Sequence, residues 1–131
     1  MDSESMELEG LSVTLDKLDY HFGGENTSPD TPHVFVYFLT IENNSDRWVK
    51  FLGRKWVITN KEDGDRLIVE GDKIVGEEPE LSPGERFSYN SFHLSAGEAS
   101  AVGSFHGVDQ FDQRVHVAIP NFDMKPPNHQ N

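Results

Sequence analysis

At 131 residues the chain has the length of one domain, and folding at that size buries roughly two-thirds of the surface the unfolded chain exposes, which provides one core and not two. Nine Phe, three Tyr and two Trp give more apolar area than a disordered acidic chain carries. Eleven Lys and Arg against 23 Asp and Glu leave a formal charge of -12, which repels nucleic-acid phosphates and anionic lipid headgroups; the absence of cysteine removes disulfides, thiolate metal sites and thiol nucleophiles.

Met1 to Gly10 is polar and acidic, with no basic n-region and no apolar h-region. No stretch of the chain reaches the ~20 apolar residues of a bilayer span. These features predict a cytoplasmic, soluble protein with a frayed tail over residues 1–10, a folded domain over 11–122 and a flexible tail over 123–131, where two prolines and few apolar residues leave little to bury.

Between the tails, apolar residues do not recur at helical spacing over two turns; period two dominates. Ser12 to Tyr20 alternates Val13 and Leu15 against Thr14 and Asp16 and reads as the first strand, followed by a Gly23-Gly24 loop running through Pro29 and Pro32. Val34 to Ile41 is a β-branched and aromatic run that stops at the turn signal Asn43-Asn44, the pattern of a central strand. Trp48 to Thr59 resumes the alternation with Leu52, Arg54, Trp56 and Ile58 on one parity, and Asn60 to Gly64 turns the chain back into Leu67, Ile68 and Val69. Further strands fall at Phe87 to Phe92, Ala99 to Val108 and Arg114 to Ile119.

About seven or more short strands without crossover helices define an all-β chain folded as an antiparallel β-sandwich. Trp56 suits the buried tryptophan of an immunoglobulin-like arrangement, with Phe35, Tyr37, Leu39, Ile41, Ile58, Phe87, Tyr89, Phe105, Val115, Val117 and Ile119 forming the rest of the core. A sandwich has edge strands, and pairing two of them between copies would give a homodimer.

Three blocks occur in order: Leu52-Gly53-Arg54-Lys55-Trp56-Val57-Ile58-Thr59-Asn60, then Pro83-Gly84-Glu85-Arg86-Phe87-Ser88-Tyr89-Asn90-Ser91, then Ile119-Pro120-Asn121-Phe122. With Val69-Glu70-Gly71 leading to Val75-Gly76 between them, the segment from about residue 12 to 122 resembles the ApaG family. The resemblance implies a fibronectin-type-III-like or immunoglobulin-like sandwich, in agreement with the strand pattern. It also implies an association with cobalt resistance and magnesium efflux, as in bacterial members, or a protein-interaction role, as in related domains of larger eukaryotic proteins that include some F-box proteins.

Family members carry a glycine-rich G-x-G-x-x-G segment read as a pyrophosphate cradle. The matching residues are Gly71 to Gly76, with Lys73 in place of the middle glycine. A phosphate loop converges backbone N–H groups on an anion, usually at a helix N-terminus. Gly71, Lys73 and Gly76 would be the phosphate contacts, but no helix-forming run follows and Glu70, Asp72, Glu77 and Glu78 surround the one lysine; a structural turn is the competing reading.

Two patterns could hold a divalent cation. Nine carboxylates lie between Glu62 and Glu85 against Arg66 and Lys73, either a weak Mg²⁺ or Co²⁺ site or a solvated acidic face. If Phe105, Val115 and Val117 face inward, His106 and His116 face outward across a hairpin turning at Gln110 to Asp112, about 5 Å apart at Cβ, with His93 or a carboxylate as a third ligand. Such exposed pairs are more often incidental.

Two residues are candidates for partner binding. Arg54 lies on the parity of Trp56: it either pairs with an internal carboxylate, stacks on an aromatic ring, or opens onto a ligand surface. Trp48, at a strand entrance, either anchors a partner or packs over the sandwich edge. G-x-S-x-G and H-E-x-x-H are absent, and Ser104 and His106, two apart on a strand, are too distant to share a proton. The sequence therefore predicts a non-enzymatic module that binds a protein partner, needs no cofactor, and does not bind nucleic acid or membrane. Direct Mg²⁺ or Co²⁺ binding and nucleotide or pyrophosphate binding are the alternatives.

Overall fold

The alternating segments form β-strands, and no α-helix occurs among the described residues, 4–127, of the computed structural model. The strands are β1 (Met6–Glu7), β2 (Leu11–Phe22), β3 (His33–Asn43), β4 (Val49–Asn60), β5 (Arg66–Asp72), β6 (Glu80–Leu81), β7 (Arg86–Ser95), β8 (Ala99–Asp109) and β9 (Arg114–Met124). One sheet runs β1-β9-β8-β4-β5, with β6 also paired to β4; the other runs β2-β3-β7. All pairings are antiparallel except β1 with β9. The expected antiparallel sandwich is therefore the observed fold.

The inner faces meet in a core that contains Phe35, Leu39, Ile41, Phe51, Trp56, Phe105, Val115 and Ile119, each at most 2% exposed. Tyr37, Ile58 and Val117 are also buried, whereas Phe87 and Tyr89, predicted to be core, are half-buried because their strand is a sheet edge. Alternation is interrupted where one strand carries extra residues. The register of β4 against β8 shifts between Phe51 and Gly53, so Val49 and Phe51 face inward before the bulge and Arg54, Trp56 and Ile58 after it. Leu52, predicted on the core parity, is consequently half-exposed, and Phe51 takes the buried place. A second shift, opposite Ala101 and Gly103, lets β9 pass Pro120 and return Phe122 and Met124 to the core; a bulge is where a strand tolerates proline.

The sheet extends beyond both predicted tail boundaries. Met6 and Glu7 pair with Val115 and His116, and Leu8 is buried. At the other end β9 continues to Met124, which is fully buried. Short polar flanks can add a strand to an exposed edge because backbone groups, and not side chains, make the ladder. Residues 1–3 and 128–131 of the predicted tails lie outside the described residues.

Candidate functional site

The two long sides of the sandwich differ. β2 lies along β9 and closes one side, whereas the edge strands β5 and β7 stand apart and flank a cleft on the other. An edge strand presents unpaired backbone N–H and C=O groups. Here both edges also carry exposed apolar side chains: Leu67 (59%) and Ile68 (57%) on β5, Phe92 (56%) and Leu94 (38%) on β7. Val36 and Val34 of β3, paired with Phe92 and Leu94, continue this surface across the outer face of the small sheet.

At one end of the cleft, a cavity of about 210 Å³ is lined by Ile58, Leu67, Leu94 and Ala99. At the other, a cavity of about 170 Å³ is lined by Arg54, Tyr37, Tyr89, Ser91 and the turn after β5. Two cations, Arg54 and Lys73, line the second cavity. Arg54 Nη1 donates to the carbonyl oxygens of Asp72 at 2.9 Å and Lys73 at 3.1 Å. Its guanidinium crosses β5 at Gly71, where a Cβ would lie 2.7 Å from Nη1. Of the alternatives drawn from sequence, the internal carboxylate is not used: Arg54 has no ion-pair partner among the described residues. Burial raises the pKa of both the Tyr37 and Tyr89 phenols; the Ser91 hydrogen bond and then the Arg54 charge only partly offset this at Tyr37, and the Arg54 charge only partly offsets it at Tyr89. Both hydroxyls therefore remain protonated donors across the physiological range.

The Gly71 to Gly76 segment is a tight turn and not the start of a helix. Ile74 is fully buried and exchanges N–H···O bonds of 2.7 and 2.9 Å with Glu77, while the Lys73 N–H donates to Leu52 O at 2.6 Å. Lys73, Val75 and Gly76 all have positive φ. The N–H groups of Lys73, Ile74 and Glu77 are thus already engaged within the protein, and Gly71 serves the passage of Arg54.

His93 packs against Tyr37 and Trp56, with ring centroids 4.8 and 4.6 Å away. Its Nε2 is buried without a hydrogen-bond partner, and burial lowers its pKa from 6.5 to about 4, so it is neutral at pH 7. This inward position separates it from His106 and His116. Those two are direct cross-strand partners on the outer face of the large sheet. The His106 ring lies over Gly53, where a Cβ would come within 2.6 Å of it, and His116 Nδ1 hydrogen-bonds Ser5 Oγ at 2.7 Å. Among the described residues, no three His, Asp or Glu side chains gather at metal-binding spacing, in the acidic stretch or elsewhere. Trp48 is half-buried just ahead of β4, its backbone N–H donating to Gln110 Oε1 at 2.7 Å.

Tyr89 and Ser91 were not singled out from sequence as site residues, although one signal was available. Tyr89, Ser91, His93 and Ser95 occupy four successive inward positions of β7, and so polar an inner parity marks a strand whose neighbour across the sandwich stands away.

The sheet order and the single open flank define a fibronectin-type-III-like β-sandwich domain of the kind that presents strand edges. The family model for the ApaG domain matches residues 24–110. Protein ApaG of Deinococcus radiodurans is 38% identical over 113 residues, covering 86% of this chain and 86% of its own. Protein ApaG of an Enterobacter species is 36% identical over 121 residues, covering 92% of this chain and 96% of its own. The crystal structure of an ApaA protein from Bordetella pertussis superposes with a TM-score of 0.76 at 27% identity, over 93% of this chain and 98% of that one. The chain belongs to the ApaG domain family. No helix among the described residues is long and apolar enough to cross a membrane.

Proposed function

We propose that this ApaG domain is a non-enzymatic protein-interaction module whose docking surface is the open β5/β7 flank, and that its partner supplies an extended segment. The observation that carries this reading is the coincidence of two unpaired strand edges on one flank with exposed apolar side chains on both: Leu67 beside the cleft and Ile68 on the outer face of the large sheet, Phe92 and Leu94 on β7 at the edge of the small sheet. Strand addition uses both features: backbone hydrogen bonds fix the added strand, and alternate side chains enter the apolar end of the cleft. A different protein fits better than a second copy, because two chains of charge -12 repel one another.

The test is affinity capture from the native cytoplasm with the wild-type chain and with Phe92→Glu and Ile68→Lys, followed by binding of the purified partner. A partner retained by the wild type and lost from both variants supports the flank. Equal retention by all three, or a wild-type protein that sediments as a dimer through this edge, overturns it.

A second reading, direct Co²⁺ or Mg²⁺ binding, is favoured by the register that sets His106 opposite His116. Calorimetric titration with Co²⁺ decides it: binding tighter than ~10 μM that disappears in His106→Ala/His116→Ala supports a metal site.

A further inference from the structure

The cavity at the Arg54 end of the cleft has a composition that strand docking alone does not require. A buried or half-buried guanidinium is usually matched by a carboxylate, because an unmatched charge away from water is costly. Among the described residues Arg54 makes no ion pair, and its hydrogen bonds run from Nη1 to two neutral carbonyl oxygens. Its remaining donors are left for the cavity, whose other walls carry the hydroxyls of Tyr37, Tyr89 and Ser91. Guanidinium and hydroxyl donors around one small space form a complement for an oxyanion.

Size and charge narrow the oxyanion. The cavity of about 170 Å³ is smaller than the roughly 300–1,000 Å³ of pockets that enclose drug-sized ligands, so a nucleotide does not fit within it. Asp72 lines the same cavity, and Glu70, Glu77 and Glu78 follow closely in the chain. Lys73 also lines the cavity, so Arg54, Lys73 and Asp72 together leave one net positive charge there; a monoanion neutralises it, while a phosphate dianion or polyanion leaves excess negative charge in an acidic field. The three N–H groups engaged in the turn at residues 73–77 are also unavailable to a phosphate.

We propose that Arg54, Tyr37, Tyr89 and Ser91 form a receptor for a single carboxylate, delivered by a Glu or Asp side chain of the extended segment that occupies the β5/β7 flank. The assignment rests on the flank reading for the identity of the carrier but not for the chemistry of the receptor. Gly71 is part of it: without a Cβ there, the guanidinium can cross β5 and reach the cavity. A strand laid against β7 directs alternate side chains inward, so one acidic residue with apolar neighbours at every second position satisfies the receptor and the apolar end of the cleft together.

The experiment titrates the ¹⁵N-labelled protein with the capped peptide acetyl-Val-Thr-Glu-Thr-Val-Thr-amide, with its Glu-to-Gln twin, and separately with sodium acetate and inorganic phosphate. The expected result is binding of the Glu peptide about tenfold tighter than the Gln twin, with the largest shifts at Arg54 Nε and along β7. That preference falls to about one in Arg54→Gln and is reduced in Tyr89→Phe and Ser91→Ala, which remove single hydroxyls and leave the turn in place. Equal affinity of the two peptides, with shifts on β7, overturns the receptor and leaves the flank intact. Acetate shifts at Arg54 without binding of either peptide support the receptor and overturn the flank. Stronger binding of phosphate than of acetate at Arg54 overturns the carboxylate assignment.

Discussion

Arg47 Nη1 and Asp109 Oδ2 stand 2.8 Å apart and tie the start of β4 to the end of β8 across 62 residues of chain. The Asp109 carboxylate is fully buried and also accepts the backbone N–H groups of Phe111 and Gln113, which closes the β8–β9 turn. Burial raises its pKa, but the N–H donors of Gln113 and Phe111 and the Arg47 guanidinium outweigh that effect and hold the carboxyl below its ordinary range. Asp109→Asn leaves Arg47 with only the exposed Asp46 carboxylate, 3.7 Å from its Nε, and weakens the turn. Breaking a buried pair costs about 3–5 kcal/mol, and the partial exposure of Arg47 places this loss at the lower end. A depressed pKa stabilises the fold above the unfolded carboxyl's value and ceases to do so as pH falls through the folded value. Urea denaturation should therefore separate wild type from variant at pH 7 and bring them together in acid; a constant gap would contradict the charged pairing.

Gly103 is the cross-strand partner of Trp56, and a Cβ there would lie 2.6 Å from the indole Cε3. The buried ring occupies the space a side chain would take. Gly103→Ala should cost about 1–3 kcal/mol as Trp56 is displaced, with a changed near-ultraviolet circular dichroism spectrum. Adding Trp56→Phe, which trims the clashing edge, should make the double variant more stable than the sum of the two losses predicts. Simple additivity would mean that the two residues do not compete for this space.

The sandwich and most of its core were legible because period-two alternation reports directly which side chains share a face. What alternation could not report was where a bulge resets it. The exchange of Phe51 for Leu52 inside the best-marked motif arose at such a point, since an extra residue leaves no compositional trace. Of the candidate site, the cross-strand placement of His106 and His116 followed from the hairpin pattern. The open flank did not: which strands become edges depends on sheet order, a nonlocal property. Arg54 was visible as a charge on a core parity, but its carbonyl partners belong to a turn 18 and 19 residues away.

Leu8 tests how firmly the first strand belongs to the fold. It is 7% exposed, whereas Met6, two residues earlier on β1, is 39% exposed. Leu8→Ala should destabilise by about 2 kcal/mol, the lower end for a buried leucine, while Met6→Ala should stay within about 0.5 kcal/mol. Equal, negligible losses would return this segment to the status of a loose tail.

His93 gives the protein a pH dependence with a defined sign. Its pKa falls from 6.5 to about 4 because burial between Tyr37 and Trp56 disfavours the imidazolium, and its Nε2 has no partner to compensate. Between those two values the unfolded chain binds a proton at this site and the folded chain does not. Its contribution to stability is accordingly complete above about pH 6.5, declines as pH drops through the window, and levels off below about 4. The whole effect is at most about 3 kcal/mol. His93→Phe keeps an aromatic ring in the box and removes the titration. The difference in unfolding free energy between wild type and variant should then shift in favour of the variant on going from pH 7 to pH 4.5, measured by urea denaturation. Parallel pH profiles for the two proteins would show that His93 titrates at its ordinary value and is not enclosed as described.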